Sequence, residues 1–110
     1  MLERHPTIEV CGEASGGMAA VEMSLDLKPD LVILDISLPD MGGLTAGRLI
    51  KNSSPSTRLL VLSIHEDKQW VQTAMLIGAA GYVTKGDASK NLLKAVEAVL
   101  QDQIFFPALG

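Results

Sequence analysis

Residues 31–35 read Leu31-Val32-Ile33-Leu34-Asp35, an apolar run that ends in a carboxylate. A turn-rich stretch, residues 36–43, follows the run, and a helical pattern begins at Leu44. A short apolar run that is bounded in this way predicts a strand buried on both faces, as in a parallel sheet. Because the chemistry of open α/β sheets lies beyond the carboxyl ends of the strands, Asp35 is the first candidate site residue.

Two more polar residues stand at equivalent places in the chain. Ser63 closes the run Leu59-Leu60-Val61-Leu62, and Lys85 follows the run Gly81-Tyr82-Val83-Thr84. A carboxylate, a hydroxyl and an ammonium group at three successive strand ends are expected to converge on one small polar site. Such a set suits a phosphoryl acceptor, because phosphoryl transfer depends on positioning and on neutralising spread-out negative charge.

The rest of the chain alternates strand and helix patterns. Further strands are predicted over Ile8–Glu13, over about Arg58–Ser63 and through Tyr82. Apolar residues recur at helical spacing in four segments, at Met18, Val21 and Leu25; at Ala46, Leu49 and Ile50; at Val71, Ala74, Met75 and Gly78; and at Leu92, Leu93, Val96, Val99 and Leu100. The last two sets are predicted to face the core, and Asp87 or Ser89 is the expected N-cap of the last helix. This alternation predicts βα units and a parallel sheet in one domain over residues 1–110.

The composition limits the classes of function. The chain has 110 residues and a net charge of -4, so this domain offers no case for binding DNA or an acidic membrane directly. Its one cysteine, Cys11, excludes an internal disulfide and agrees with a reducing compartment. With neither a membrane-length apolar stretch nor a signal-peptide pattern, the sequence predicts a cytoplasmic protein.

Three anchor segments resemble a known family: residues 31–39 (LVILDISLP), 62–65 (LSIH) and 78–85 (GAAGYVTK). They are similar to receiver domains of bacterial two-component response regulators, and most of all to those of LuxR/FixJ-type (NarL-like) transcription factors. The resemblance implies a flavodoxin-like, CheY-like fold, with helices on both faces of a parallel sheet and the strand order 2-1-3-4-5. It also implies a signalling module rather than an enzyme, with a histidine kinase as partner and a helix-turn-helix output domain in the parent protein.

The resemblance assigns a role to each matching residue. Asp35 would accept the phosphoryl group, and Lys85 would pair with the phosphoryl oxygens as a compact charge. Ser63 would donate a hydrogen bond to the phosphoryl group, and the ring of Tyr82 would move with it. The backbone carbonyl of Ser37 would bind Mg²⁺ together with Asp35.

One departure from the family pattern affects the metal site. Family members carry an acidic pair at the end of their first strand, and in this sequence the matching position falls before Met1. Residues 1–6 resemble the end of the first helix, so we expect the first strand and most of that helix to be absent. An incomplete site of Asp35, the Ser37 carbonyl and water would bind Mg²⁺ weakly. Poor phosphorylation, or none, is the expected result.

The same departure affects the sheet. The absent strand belongs at the centre, so the strands on either side of it would pair with each other or expose backbone and apolar surface. Self-association into a homo-oligomer, by exchanged elements or paired edges, would cover that gap.

Two alternative functions are compatible with parts of the pattern. A pseudo-receiver would keep the fold as a binding module without phosphorylation, which the missing acidic pair favours. A phosphatase of the haloacid-dehalogenase type also uses Asp, Ser and Lys at strand ends. It needs a second Asp two residues after the nucleophile as general acid, and this chain has Ser37 there.

Overall fold

A computed structural model describes residues 8–12, 29–36, 42–64 and 66–107. Its elements are β1 (Ile8–Gly12), β2 (Leu31–Ile36), α1 (Gly42–Ser53), β3 (Arg58–Ser63), α2 (Lys68–Leu76), β4 (Gly81–Thr84), a 3₁₀ turn (Lys85–Asp87) and α3 (Ala88–Leu100). The predicted alternation of strands and helices is confirmed over these ranges. The helix predicted around Met18, Val21 and Leu25 lies outside the described residues, as does Glu13.

The four strands form one parallel sheet in the order β1-β2-β3-β4. β1 pairs with β2 from Ile8 opposite Leu31 to Gly12 opposite Asp35. The resemblance instead implied a strand between these two, in the order 2-1-3-4-5. Here the strands that match the family's second and third are hydrogen-bonded neighbours, which is one of the two arrangements expected from the sequence.

The sheet is covered on both faces because its side chains alternate between two apolar clusters. One cluster joins the sheet to α1 and α2 and consists of Val32, Leu34, Ile50, Leu59, Val61, Trp70, Val71, Ala74, Ala79 and Tyr82. The other joins the sheet to α3 and consists of Leu31, Ile33, Leu60, Val83, Ala95 and Val99. Successive strand residues point to opposite faces, so β2 and β3 contribute apolar side chains to both clusters. The central strands are therefore buried on both sides, as their unbroken apolar runs predicted.

The helix patterns predicted the buried stripes only in part. In α2, Val71 and Ala74 are fully buried, but Met75 is 40% exposed. In α3, Leu93 is 69% exposed, and Ala95, which the pattern left out, is fully buried. A helix turns about 100° per residue, so only one of two adjacent apolar residues can face the core directly. The inward assignments of Met75 and Leu93 are therefore wrong. The assignment of Gly78 to the same stripe is also wrong, because Gly78 is exposed and lies beyond the end of α2.

A left-handed glycine ends α2 and directs the chain into β4. Gly78 has φ of +97°. Its amide donates to the carbonyl of Met75 at 3.1 Å, and the amide of Ala79 donates to the carbonyl of Ala74 at 3.0 Å. These bonds satisfy helix carbonyls that would otherwise lack partners. A residue with a Cβ atom would pay a steric penalty in this backbone conformation.

We therefore expect Gly78→Ala to lower the free energy of unfolding by about 1–2 kcal/mol, the cost of a left-handed conformation in an L-residue. Gly86→Ala is the matched control, because the nearest heavy atom to a Cβ there is Glu66 Oε1 at 3.9 Å. Urea unfolding followed by the fluorescence of Trp70 measures both variants. Equal stabilities for the two would contradict the role of Gly78.

Candidate functional site

The register of the sheet brings the predicted site residues to one edge. Ile36 lies opposite Ser63, which in turn lies opposite Thr84. Asp35, Ser63 and Lys85 therefore occupy the carboxyl ends of three adjacent parallel strands. These are the residues that the sequence placed at the ends of its three apolar runs.

An ion pair joins the outer two of these strand ends. Lys85 Nζ lies 2.7 Å from Asp35 Oδ1, so the lysine side chain reaches across the end of β3. The side chains of Lys85 and Asp35 are 34% and 30% exposed. Both charges thus keep contact with solvent, and such a pair contributes only about 1 kcal/mol or less to stability. The arrangement leaves the carboxylate accessible to a small reactant.

Ser63 is the buried residue of this sheet edge. It is fully buried on the face of the sheet that carries Tyr82, which is 1% exposed. The side chains of Ser63 and Tyr82 are joined by a hydrogen bond. A serine hydroxyl both donates and accepts, so it can exchange this partner for another oxygen without a change in protonation.

Burial raises the pKa of the Tyr82 phenol above its ordinary value of 10.0. The hydrogen bond to Ser63 lowers this pKa in part, and the charge of Asp67 raises it further. Tyr82 is therefore a neutral phenol in the folded protein. Its contribution to stability is complete below the pKa of the unfolded chain and is lost as the pH rises through the higher folded value.

Thr84 is a neighbour of the site that sequence reasoning did not assign. Its side chain is 8% exposed, and its hydroxyl donates to Asp87 Oδ2 at 3.1 Å. Asp87 is also the N-cap residue of α3, one of the two caps expected from the sequence, although its side chain makes no capping hydrogen bond there. The contact closes the 3₁₀ turn that contains Lys85. In the sequence, the position of Thr84 between an apolar run and a turn could have indicated that its hydroxyl helps to close that turn.

The described residues do not make a magnesium site by themselves. None of their His, Cys, Asp and Glu side chains form a group of three or more that could hold a metal ion. Asp35 supplies one carboxylate, and that carboxylate is already paired with Lys85. Mg²⁺ requires near-octahedral oxygen coordination and is usually held by more than one anionic oxygen. The predicted ligand at the Ser37 carbonyl lies outside the described residues.

Comparisons with known proteins agree with this architecture. The family model of the response regulator receiver domain matches residues 1–97. The nitrate/nitrite response regulator protein NarL of Escherichia coli K12 is 36% identical over 110 residues, which cover 99% of this chain and 51% of that protein. The response regulator UvrY of the same organism is 36% identical over 103 residues, covering 94% of this chain and 47% of UvrY. The chain thus spans about half the length of these curated relatives.

Solved structures show the same fold. A two-component response regulator of the LuxR family from Aurantimonas sp. SI85-9A1 superposes with a TM-score of 0.79 at 23% identity, over 92% of this chain and 89% of that one. The chain belongs to the response regulator receiver domain family. The resemblance to LuxR-type receivers that the anchor segments indicated is confirmed.

Receiver domains of this family bind Mg²⁺ at the phosphorylation site. In the described part of the chain, no helix has the length and apolar character that crossing a bilayer requires.

Tyr82 is the chain's one tyrosine, so its ionisation can be followed by the absorbance of tyrosinate. We expect the midpoint to lie above 10.0, the ordinary value, because burial disfavours the phenolate. Ser63→Ala is expected to move the midpoint higher still, since the bond to Ser63 lowers the pKa. The exposed Ser53→Ala is the control. Trp70 fluorescence in the same sample reports whether the fold persists, and a midpoint at or below the ordinary value in folded protein contradicts the prediction.

Proposed function

We propose that this chain is a phosphorylation-controlled receiver module in which Asp35 accepts a phosphoryl group from a histidine kinase. The observation that carries the proposal is the 2.7 Å contact between Lys85 Nζ and Asp35 Oδ1 at the sheet edge where β3 ends in the buried Ser63. A lone carboxylate at a strand end has many ordinary explanations. A carboxylate paired with an ammonium group, at a sheet edge that also carries a serine, has the composition that a phosphoryl acceptor needs.

Each group has a defined task in this proposal. A carboxylate oxygen of Asp35 attacks phosphorus, and the bond between phosphorus and the histidine nitrogen of the donor breaks. The ammonium group of Lys85 then pairs with the phosphoryl oxygens, which carry the negative charge that the carboxylate had carried. Ser63 donates a hydrogen bond to the same oxygens. No step depends on a proton from Tyr82.

The loss of the Ser63 hydroxyl to the phosphoryl group would release Tyr82 from its present partner. The two side chains are bonded to each other in the structure, and Ser63 has one hydroxyl proton, which it can donate to Tyr82 or to the new oxygens but not to both. This exchange supports a two-state switch in which the added charge biases the position of a buried aromatic ring.

A pseudo-receiver is the second candidate. The metal ligands available among the described residues favour it. The described residues hold no group of three or more potential metal ligands, which supports weak charge neutralisation by Mg²⁺. In this reading the Asp35–Lys85 pair is structural, and the domain acts through binding alone.

The remaining parts of the proposal concern partners. Transcriptional regulators among the relatives support a helix-turn-helix output domain in the parent protein, with DNA binding assigned to that domain. We also propose a cytoplasmic location and a regulatory rather than enzymatic role, in accord with relatives named response regulators.

Incubation with acetyl phosphate and Mg²⁺, followed by intact-mass measurement, tests the chemistry. We expect a slowly formed adduct of one phosphoryl group that is absent from Asp35→Asn. Lys85→Met should slow its formation about tenfold, equivalent to about 1.4 kcal/mol of transition-state stabilisation. Lys90→Met is the matched control. Lys90 is exposed on α3, and its substitution removes one positive charge, as Lys85→Met does.

The outcomes separate the two candidates. An adduct that persists in Asp35→Asn would refute the assignment of Asp35. The absence of any adduct after prolonged incubation would favour the pseudo-receiver. Rapid labelling at low Mg²⁺ would instead show that the metal site is stronger than one carboxylate allows.

Self-association is part of the proposal and has its own test. β1 and β2 are hydrogen-bonded neighbours within one chain, so no strand of a second copy lies between them. Large apolar side chains nevertheless stand exposed, among them Leu76 at 86%, Ile104 at 75% and Leu93 at 69%. Exposed apolar side chains favour association where they form one contiguous patch. Sedimentation velocity over a range of concentrations should therefore show a species larger than the monomer, and a single monomeric species throughout would defeat the expectation.

A further inference from the structure

The segment after α3 turns back along the edge of the sheet. The chain reverses at Asp102, which has φ of +63°, the one positive value at a non-glycine residue in the described part of the chain. Gln103–Pro107, called here the edge strap, then runs beside β4, with Phe105 bridged to Gly81 in parallel. The edge strap therefore occupies the side of β4 that β3 leaves open.

Two main-chain hydrogen bonds attach the edge strap to β4. The amide of Phe105 donates to the carbonyl of Ala80 at 2.9 Å, and the amide of Tyr82 donates to the carbonyl of Phe105 at 2.8 Å. Tyr82 thus contacts the edge strap through its backbone and Ser63 through its side chain. One residue connects the two.

The side chains of the edge strap extend this attachment to both cores. Phe105 packs against the cluster on the α3 side of the sheet. Phe106 packs against the opposite cluster, which contains Tyr82 itself. The edge strap therefore straddles β4, and Tyr82 and Phe106 belong to the same apolar packing on one face of the sheet.

The fit between strap and strand depends on a glycine and an ion pair. A Cβ at Gly81 would lie 2.5 Å from Leu60 Cδ1 and 3.1 Å from the carbonyl oxygen of Phe105, so a larger residue would clash with Leu60 and crowd the strap. Arg58, the first residue of β3, donates to Asp102 Oδ1 from Nε at 3.0 Å and from Nη2 at 2.5 Å. Asp102 is largely exposed, which makes this pair a modest tether.

We propose that the edge strap is a coupling element, whose attachment to β4 weakens when Ser63 releases the Tyr82 side chain. The proposal rests on the function proposed above, in which a phosphoryl group on Asp35 draws the Ser63 hydroxyl away. Loss of that bond frees a ring in the cluster against which Phe106 packs, and the Tyr82 amide is the next link to the strap. The state of Asp35 thereby reaches residues on the carboxyl-terminal side of α3.

Coupling of this kind is reciprocal. A firmly attached strap stabilises the contact between Tyr82 and Ser63, and so opposes the transfer of the Ser63 hydroxyl to a phosphoryl group. A loosened strap has the opposite effect. The strap therefore acts as a brake on the site as well as a reporter of it.

Amide hydrogen exchange measured by NMR on the full chain tests the coupling without phosphorylation. We expect Ser63→Ala to accelerate exchange at the amides of Tyr82 and Phe105 by about threefold to tenfold, the effect of one lost hydrogen bond. Tyr82→Phe removes the same bond from the other side and should reproduce the result. Ser53→Ala is the matched control.

The amide of Ala80 is the internal reference, because it donates to the carbonyl of Leu59 at 2.8 Å and not to the strap. Acceleration at Tyr82 and Phe105 in excess of that at Ala80 supports local coupling. Equal acceleration at all three amides reports global destabilisation, and no acceleration reports independence. Either result in both variants overturns the proposal.

The same exchange measurement after treatment with acetyl phosphate separates this inference from the proposed function. An adduct on Asp35, verified by mass, with faster exchange at Phe105 supports both. An adduct with unchanged exchange at Phe105 overturns the coupling and leaves the receiver function standing. A failure to form any adduct, together with faster exchange in Ser63→Ala, overturns the proposed phosphorylation while the link from Ser63 to the strap holds.

Discussion

Parallel pairing of β2 with β3 is the constraint on which the rest of the structure depends. The pairing runs from Leu31 opposite Arg58 to Ile36 opposite Ser63. In a parallel pair, the carboxyl ends of both strands meet at the same edge, so this register places Asp35 near Ser63. The same pairing buries both strands on both faces and supplies apolar side chains to each core cluster. Fold and site therefore share one origin, and a shift in register would damage both.

Electrostatics gives this edge its chemical character. Asp35 and Lys85 are held at 2.7 Å while about a third of each side chain stays exposed. A pair of this kind stabilises the fold little, because both charges keep contact with solvent. Among the described residues, no group of three or more His, Cys, Asp and Glu side chains could hold a metal ion.

Tyr82 connects the site with the far edge of the sheet. Its side chain is bonded to Ser63, and its amide is bonded to the carbonyl of Phe105. β4 has only four residues, and its outer edge would leave main-chain groups unpaired without a partner. The returning segment satisfies that edge with two hydrogen bonds. A contact that is required by backbone chemistry can in this way also carry information about a side chain on the other side of the strand.

The sequence by itself determined the alternation of strands and helices and the residues that stand at the strand ends. Asp35, Ser63 and Lys85 were identifiable because each closes or follows an apolar run, and parallel strands align such ends. The sequence did not determine which adjacent residue of a helix faces inward, as Met75 and Leu93 show, because a one-residue rotation is decided by the partner surface. Direct pairing of β1 with β2 was one of two arrangements that the pattern allowed. Only the tertiary structure decided between them, and only it revealed the bond between Tyr82 and Ser63 and the return of Phe105 to β4. These contacts join residues far apart in the chain, and no local pattern of apolar and polar residues encodes which distant groups will meet.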